Sequence, residues 1–253
     1  MSRTIIIDAS SFQYRAFHAS KERQTFTKEG VPNAGVILLR SMLERLQRSY
    51  SPTYMCAAFD SKTPTFRSAL YPQYKAQRSK PDENYIAQIP GFRSVFFPMP
   101  CYQKDGYEAD DIIGTLCYRI LKDCPDVLIA SGDKDMAQLV GVFTAGEVQL
   151  LNTGKDRVLN SRGVYEEYGV YPQQIADYLA LVGDECDNVP GGRGIGPVGA
   201  LALLKQFKNV EQIISHAGEI ESSGLRKAVR ENADMILLSK KLVTIDCDVP
   251  GVI

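Results

Sequence analysis

No apolar run in this sequence approaches the roughly 18 residues that span a bilayer. Its start passes from Met1-Ser2-Arg3-Thr4 straight into Ile5-Ile6-Ile7, with no long signal-like region or cleavage site. A soluble chain without visible targeting is expected. The six cysteines (Cys56, Cys101, Cys117, Cys124, Cys186, Cys247) include no C-x-x-C pair, which excludes a zinc ribbon or a redox motif and fits a reducing compartment. There are only two histidines, His18 and His216. Any metal site must therefore be built from carboxylates, whose oxygens favour Mg²⁺ or Mn²⁺ over Zn²⁺. An excess of one charge is also missing: 29 Lys and Arg against 30 Asp and Glu leave a net charge of −1. By itself that balance speaks against a nucleic-acid binder. What is present is a chain of 253 residues, 44% hydrophobic and 23% charged. It can bury the core of one large domain or of a domain with an appendage, which excludes disordered and fibrous classes.

Three apolar runs each end in an aspartate: residues 4–8 at Asp8, 54–60 at Asp60 and 127–133 at Asp133. They read as buried parallel strands. Helical patterns separate them, one carrying Val36, Leu39, Leu43 and Leu46 on a single face, the other Ile112, Ile113, Leu116, Ile120 and Leu121. Alternation of this kind predicts an α/β domain with a mostly parallel sheet and flanking helices. Ligands of such sheets gather outside the carboxyl ends of the strands, where all three aspartates fall. A fourth strand is expected at 148–152, with a hairpin back through 157–159. Beyond about residue 160 the pattern turns to helices and glycine turns, with a helix from Pro172 through Leu181 and another from Pro197 to about Gln206.

Further acids cluster in Glu108-Ala109-Asp110-Asp111, Asp133-Lys134-Asp135 and Asp184-Glu185-Cys186-Asp187. Taken singly, each is accounted for by a helix dipole, worth only about 0.3–1 kcal/mol, or by turn chemistry. Together, three strand ends, a helix start and a loop would aim anions at one rim of the sheet, an arrangement that needs a counter-charge. Divalent cations supply one, and a pair about 3.5–4 Å apart can activate a water and stabilise both oxygens of an in-line phosphate displacement. Phosphodiester hydrolysis is the chemistry this pattern suits.

Residues 61–80 hold Lys62, Arg67, Lys75, Arg78 and Lys80 with no acid, interleaved with Phe66, Tyr71 and Tyr74. Such a mixture suits a single-stranded backbone with bases to stack, although a solvated loop with aromatic anchors reads equally well in isolation. Its position directly after Asp60 favours the nucleic-acid reading. A second feature is Gly191-Gly192-Arg193-Gly194-Ile195-Gly196-Pro197-Val198-Gly199-Ala200. A helix and a turn precede it, so a dinucleotide fingerprint does not apply. A helix-hairpin-helix that brings backbone N–H groups to a phosphate fits better. Arg193, Lys205 and Lys208 add positive charge. A tight glycine turn between packed helices explains the motif alone just as well.

These residues resemble the 5′-nuclease (flap endonuclease) superfamily, and most closely its branch of 5′→3′ exonuclease domains in bacterial DNA polymerase I. The likeness rests on Asp8-Ala9-Ser10-Ser11 with Tyr14-Arg15-Ala16-Phe17-His18-Ala19, Ala58-Phe59-Asp60, and Phe66-Arg67 with 71–78. It continues through 106–116, 131–140 and 177–184. It implies a PIN-like nuclease core over 1–160 with a helical arch at about 61–100. A helical subdomain would follow over 161–253, with its DNA clamp at about 175–208. The implied metal sets are Asp8, Asp60, Glu108 and Asp110, and Asp111, Asp133, Asp135, Asp184 and Asp187, holding two or more Mg²⁺ or Mn²⁺ ions. Lys75 and Arg78 would polarise the scissile phosphate. DNA contacts would come from Arg67, Tyr74, Lys80, Arg193, Gly194, Ile195, Gly196, Gly199, Lys205 and Lys208, with K⁺ at the hairpin carbonyls. The implied partners are branched or 5′-flap DNA and single-strand/double-strand junctions, met by a monomer, without a membrane, in a bacterial or phage-like cytoplasm.

Two departures stand out: Val198 replaces the common lysine after the hairpin, and Cys186 replaces a usual serine between two metal-set acids. A PIN-like ribonuclease is disfavoured by Asp184, Asp187 and residues 191–200. A catalytically silent DNA-binding module is disfavoured because an unneeded anionic cluster destabilises a fold.

Overall fold

The computed structural model describes residues 2–23 and 25–252. In chain order, β1 (Arg3–Asp8), α1 (Ala9–Ser20), α2 (Ala34–Tyr50), β2 (Tyr54–Phe59), α3 (Phe66–Leu70), α4 (Glu83–Val95) and β3 (Cys101–Gln103) come first. Next follow α5 (Ala109–Ile120), β4 (Asp126–Ser131), β5 (Gly141–Phe143), β6 (Gly146–Asn152) and β7 (Arg157–Leu159). The remainder is helical: α6 (Ser161–Tyr168), α7 (Ile175–Val182), α8 (Pro197–Gln206), α9 (Val210–Ser215), α10 (Ser223–Glu231) and α11 (Ala233–Val243).

The sheet runs β3-β2-β1-β4-β6-β5, with β7 also paired to β6. The pairs from β3 through β6 are parallel, while β5 and β7 add antiparallel to the two halves of β6. Residues 5–7 and 127–130 are wholly buried because helices cover both faces. Period-two alternation sorts them into two cores. Ile5, Ile7, Ala57, Phe59, Leu128 and Ala130 pack toward α1, α2 and α4. Ile6, Ala58, Ile129 and Leu150 face α5 and the C-terminal helices, which continue the same core. From β1 the chain order moves outward to β2 on one side and to β4 on the other, so the topological switch point lies between β1 and β4.

The stretch expected to arch over the site is more tightly docked than that. Phe92 and Phe96 of α4 and its C-cap are buried in the first of these cores, and Gln88 accepts from Gly35 N of α2 at 3.0 Å. A Cβ on Gly35 would approach the Phe92 ring to 2.9 Å, so the two helices meet closely there. The turn at 73–77 is likewise fastened down. Lys75 N donates to Asp187 O (2.9 Å), Gln77 Nε2 to Glu185 O (2.7 Å) and Asn188 Nδ2 to Gln73 O (2.7 Å).

The expected helix from Pro172 divides into a 3-10 turn at Pro172–Gln174 followed by α7, and α8 starts at Pro197. Between α7 and α8, Gly191 has φ +66°, and a Cβ there would lie 2.4 Å from Gly183 N, so only glycine fits. The segment after α11 returns to the sheet domain: Gln138 Nε2 donates to Val243 O, Ile245 N to Gln138 Oε1, and Val249 N to Thr115 Oγ1. No helix among the described residues is long and apolar enough to cross a membrane.

Candidate metal centre and nucleic-acid interface

Asp8 closes β1 and caps α1, accepting from Ser11 N at 2.9 Å. Its other oxygen accepts from Ser131 Oγ at 2.6 Å, across the switch point. Ser131 in turn accepts from Asp133 N, and Asp133 accepts from Asp135 N at 2.9 Å. Ser131 thus links the ends of β1 and β4. It was present in the sequence motif as a neighbour of Asp133, but its hydroxyl gave no signal of this role. Asp60, just past β2, accepts from Ala109 N at the start of α5 (2.9 Å). Asp110 is half-buried in the first turn of α5.

The acids form a continuous row in which each feels the next. Burial and then Asp60 push the Asp8 carboxyl up to about 7. Burial, then Asp133, Asp8 and Glu108, raise Asp110 well above the usual carboxylate range. Asp133 is raised by burial and by Asp187 and Asp184, against a hydrogen bond from Asp135 N. Asp135 is raised well above its ordinary value by burial, Asp133 and Asp184, and its buried Oδ1 has no partner among the described residues. As bare anions these groups are costly to hold together, which leaves the row short of positive charge.

At its far end the row meets cations. Lys75 Nζ donates to Glu108 Oε1 at 2.9 Å and lies 3.4 Å from Asp187 Oδ2. Although burial opposes it, Glu108, Asp187 and Asp110 hold the Lys75 ammonium above its ordinary value. Arg78 pairs with Asp187, whose carboxyl is held low by Lys75 and Arg78 against burial. Lys134, not singled out from the sequence, lies 3.0 Å from Asp184. With Glu108, Asp184 and Asp187 turned onto these partners, no group of three or more His, Cys, Asp or Glu among the described residues is drawn together tightly enough to hold an ion as it stands. The donor set is nevertheless all oxygen, and Asp135 Oδ1 is unfilled, which fits oxygen-seeking divalent ions.

Several expected site residues are placed otherwise. Asp111 is not an open ligand: it is 0% exposed and held by Nη1 and Nη2 of Arg67, each at 2.7 Å. It also accepts from Glu108 N and Asp246 N. Arg67 is accordingly turned inward rather than offered to solvent. It is 2% exposed and also donates to Leu242 O and Thr244 O, because α3 packs beneath the segment that follows α11. Tyr74 is buried rather than offering a stacking face, and its hydroxyl lies 3.1 Å from both Glu108 and Asp187, donating to one at a time. Ile195 is buried, with its N–H spent on Gly192 O. Gly199 is a packing residue, since a Cβ would come within 2.8 Å of Leu225. Lys80, Arg193, Gly194, Gly196, Lys205 and Lys208 are exposed, and a Cβ on Gly196 would meet open space at the start of α8. Val198 is 84% exposed beside it.

A parallel sheet with carboxylates at its switch point, joined to a glycine hairpin between helices, defines a PIN-like fold with a helix-hairpin-helix subdomain. Two family models cover it from end to end: the 5′-3′ exonuclease N-terminal resolvase-like domain over residues 3–169 and the 5′-3′ exonuclease C-terminal SAM fold over 170–253. The chain belongs to the 5′-3′ exonuclease family. It is 36% identical over 250 residues to a 5′-3′ exonuclease of Aquifex aeolicus, covering 98% of this chain and 83% of that protein. To the DNA polymerase I of Caldicellulosiruptor bescii it is 35% identical over 254 residues, covering 98% of this chain but 29% of the relative. The chain therefore spans less than a third of the polymerase it matches. In fold it resembles the T5 D15 protein co-crystallized with metal ions (TM-score 0.80, 21% identity, 97% of this chain and 89% of that one). The catalytic core of Rad2 in complex with DNA substrate is a more distant likeness (TM-score 0.58, 16% identity, 98% and 81%).

Proposed function

We propose that the chain is a divalent-metal-dependent nuclease that hydrolyses DNA phosphodiester bonds at 5′ flaps and 5′ ends, in replication and repair. The observation that carries this reading is the row that begins at Asp60 and runs to Lys75, in which burial and neighbouring carboxylates raise the proton affinity of Asp8, Asp110, Asp133 and Asp135. Asp8, Asp60, Glu108 and Asp110 would hold one ion, and Asp133, Asp135, Asp184 and Asp187 a second, Mg²⁺ or Mn²⁺ by their all-oxygen character. Bound there, such ions offset the carboxylate repulsion and supply a more acidic water for in-line displacement. The names of the relatives support the nuclease reading, and the metal ions and DNA substrate in the two structural neighbours support its cofactor and partner classes.

The chain's own residues have distinct tasks. Lys75 is held over the row with its ammonium protonated, placed to leave Glu108 and Asp187 for the negative phosphoryl oxygens of a bound strand. Arg78 draws the strand in. The exposed backbone at Gly194 and Gly196, with Arg193, Lys205 and Lys208, holds neighbouring duplex by its phosphates, which makes cleavage dependent on structure rather than on sequence. A K⁺ at the hairpin carbonyls, a monomeric state and a cytoplasmic location complete the reading.

The test is cleavage of a 5′-labelled flap with product size read on a gel. Activity should need Mg²⁺ or Mn²⁺, stop on chelation, and disappear in Asp133→Asn while DNA binding persists. Near wild-type cleavage by Asp133→Asn would overturn the two-ion assignment.

A further inference from the structure

Beyond Asp60, at the β3 edge of the sheet, lies a cavity of about 490 Å³ lined by Lys62, Arg93, Gln103, Lys104 and Asp105. It sits at the opposite end of the carboxylate row from Arg78 and Asp187. Three cations face it against one carboxylate, in a chain whose overall charge is −1. None of Lys62, Arg93 and Lys104 forms an ion pair with a described acid, whereas Lys75, Arg78, Lys134 and Lys240 all do. Asp105, the only acid on the wall, accepts from Ser61 Oγ at 3.4 Å.

The wall is ordered by specific contacts. The Arg93 guanidinium lies 4.7 Å over the Phe59 ring, at the end of β2. Its Nη2 donates to Gln103 Oε1 at 3.0 Å, and Gln103 Nε2 donates to the backbone oxygen of Asp60 at 2.8 Å. One end of this chain of contacts is a cation open to the cavity, and the other is the backbone of a residue in the carboxylate row. A planar guanidinium fixed on an aromatic face loses little freedom when it binds, and its remaining N–H groups match the oxygens of a phosphate. Lys62 and Lys104 supply the further charge that a phosphodiester anion needs.

We propose that this cavity is a subsite for a non-reacting phosphate of the DNA strand, on the β3 side of the reacting one. The proposal rests on the nuclease reading above and deepens it, because it assigns a second point at which a strand is held. Anchored on both sides of the row, at Lys75 and Arg78 on one flank and at Arg93 on the other, a strand would be drawn taut across the carboxylates. Gln103 would report its arrival to Asp60.

The test is fluorescence anisotropy of a labelled flap DNA without divalent ions, titrated across KCl concentrations. The proteins compared are wild type, Lys62→Ala/Lys104→Ala, and Lys122→Ala as a charge control beyond the far end of α5. The double variant should bind about tenfold or more weakly, and its plot of log K against log salt should be shallower by about 0.7 for each phosphate that the protein no longer neutralises. Lys122→Ala should match wild type. A methylphosphonate moved along the strand should weaken wild type at one position, to which the double variant is indifferent. If the double variant keeps the wild-type affinity and slope while DNA still binds, the subsite is wrong and the nuclease reading stands. If inorganic phosphate competes with the strand at millimolar concentration and the methylphosphonate has no effect, the cavity takes free phosphate and the proposal is overturned. If no DNA binds to any of the proteins, the nuclease reading itself fails.

Discussion

Two ion pairs join the stretch after β2 to the start of α5, and they are built for opposite purposes. Arg67 and Asp111 are both sealed from water, and every charged oxygen and nitrogen between them has a partner in the backbone or in the other side chain. Lys75 pairs with Glu108, three positions before Asp111, but the Lys75 side chain is about a quarter exposed and shares its proton-rich end between Glu108 and Asp187. The first pair cannot exchange partners without exposing buried charge. The second can, because water and a passing phosphate reach it. Charge alone does not make a residue functional: a cation that has somewhere else to go is the one able to act.

Removing half of the sealed pair should have the largest effect. Asp111→Ala or Arg67→Ala leaves a buried charge uncompensated, which costs about 3–5 kcal/mol. Thermal unfolding should show a large drop in Tm, with activity disappearing along with the fold. Asp111→Ala with a near-normal Tm and a specific defect in metal binding would return Asp111 to the set of ligands.

Lys75→Ala should act on rate instead. Loss of a preorganised electrostatic donor lowers the single-turnover cleavage rate by about 10²-fold. Its Tm should fall far less than that of Asp111→Ala. An effect on KM alone would make Lys75 a binding contact.

The unpaired acids give a third contrast, in pH. Asp8, Asp110, Asp133 and Asp135 bind protons more tightly folded than unfolded, so the native state takes up more protons and stability falls as pH rises. For Asp8 the window runs from its ordinary 3.8 up to about 7. Chelated protein should therefore melt at a lower temperature at pH 8 than at pH 5.5, and Mg²⁺ should reverse the order. Asp110→Asn should raise Tm in chelator at pH 8 and reduce the gain from Mg²⁺. A Tm in chelator that rises from pH 5.5 to 8 would contradict the crowding of the row.

Arg78→Ala should have the smallest effect. Its pair with Asp187 is more than half exposed on the arginine side, the kind of contact worth about 0–1 kcal/mol, so DNA affinity should fall only a few-fold with Tm almost unchanged. A rate defect as large as that of Lys75→Ala would place Arg78 at the reacting phosphate.

What the sequence revealed follows the range of the interactions involved. The strands ending at Asp8, just before Asp60 and at Ser131, and the glycine turn before Pro197, were legible because apolar runs, proline and glycine act locally. Arg67 was not. In the sequence it looks like Arg78, a basic residue in an acid-free run, and what separates them is the carbonyl groups of Leu242 and Thr244, some 175 residues away. Asp111 escaped for the same reason, since its partners come from three segments. The docking of α4 was hidden because the basic and aromatic pattern ends at about residue 80 and only the family resemblance extended the arch to about 100, while the packing partners of Phe92 and Phe96 come from distant segments of the first core. Ser131 is a different failure: its role depends on two strands being neighbours, which only the topology supplies.

The return of the chain after α11 has a consequence for how this molecule could be divided. Arg67, Asp111, Thr115 and Gln138 all belong to the sheet half, yet each finds a backbone partner between Leu242 and Val249. A cut near residue 169, where the two family models meet, separates two sequence units but not two portable parts. The amino-terminal piece would carry the carboxylate row without the latch that fixes its helix, and the carboxy-terminal piece would carry a latch with nothing to close. The two halves match separate family models yet close as a single clasp.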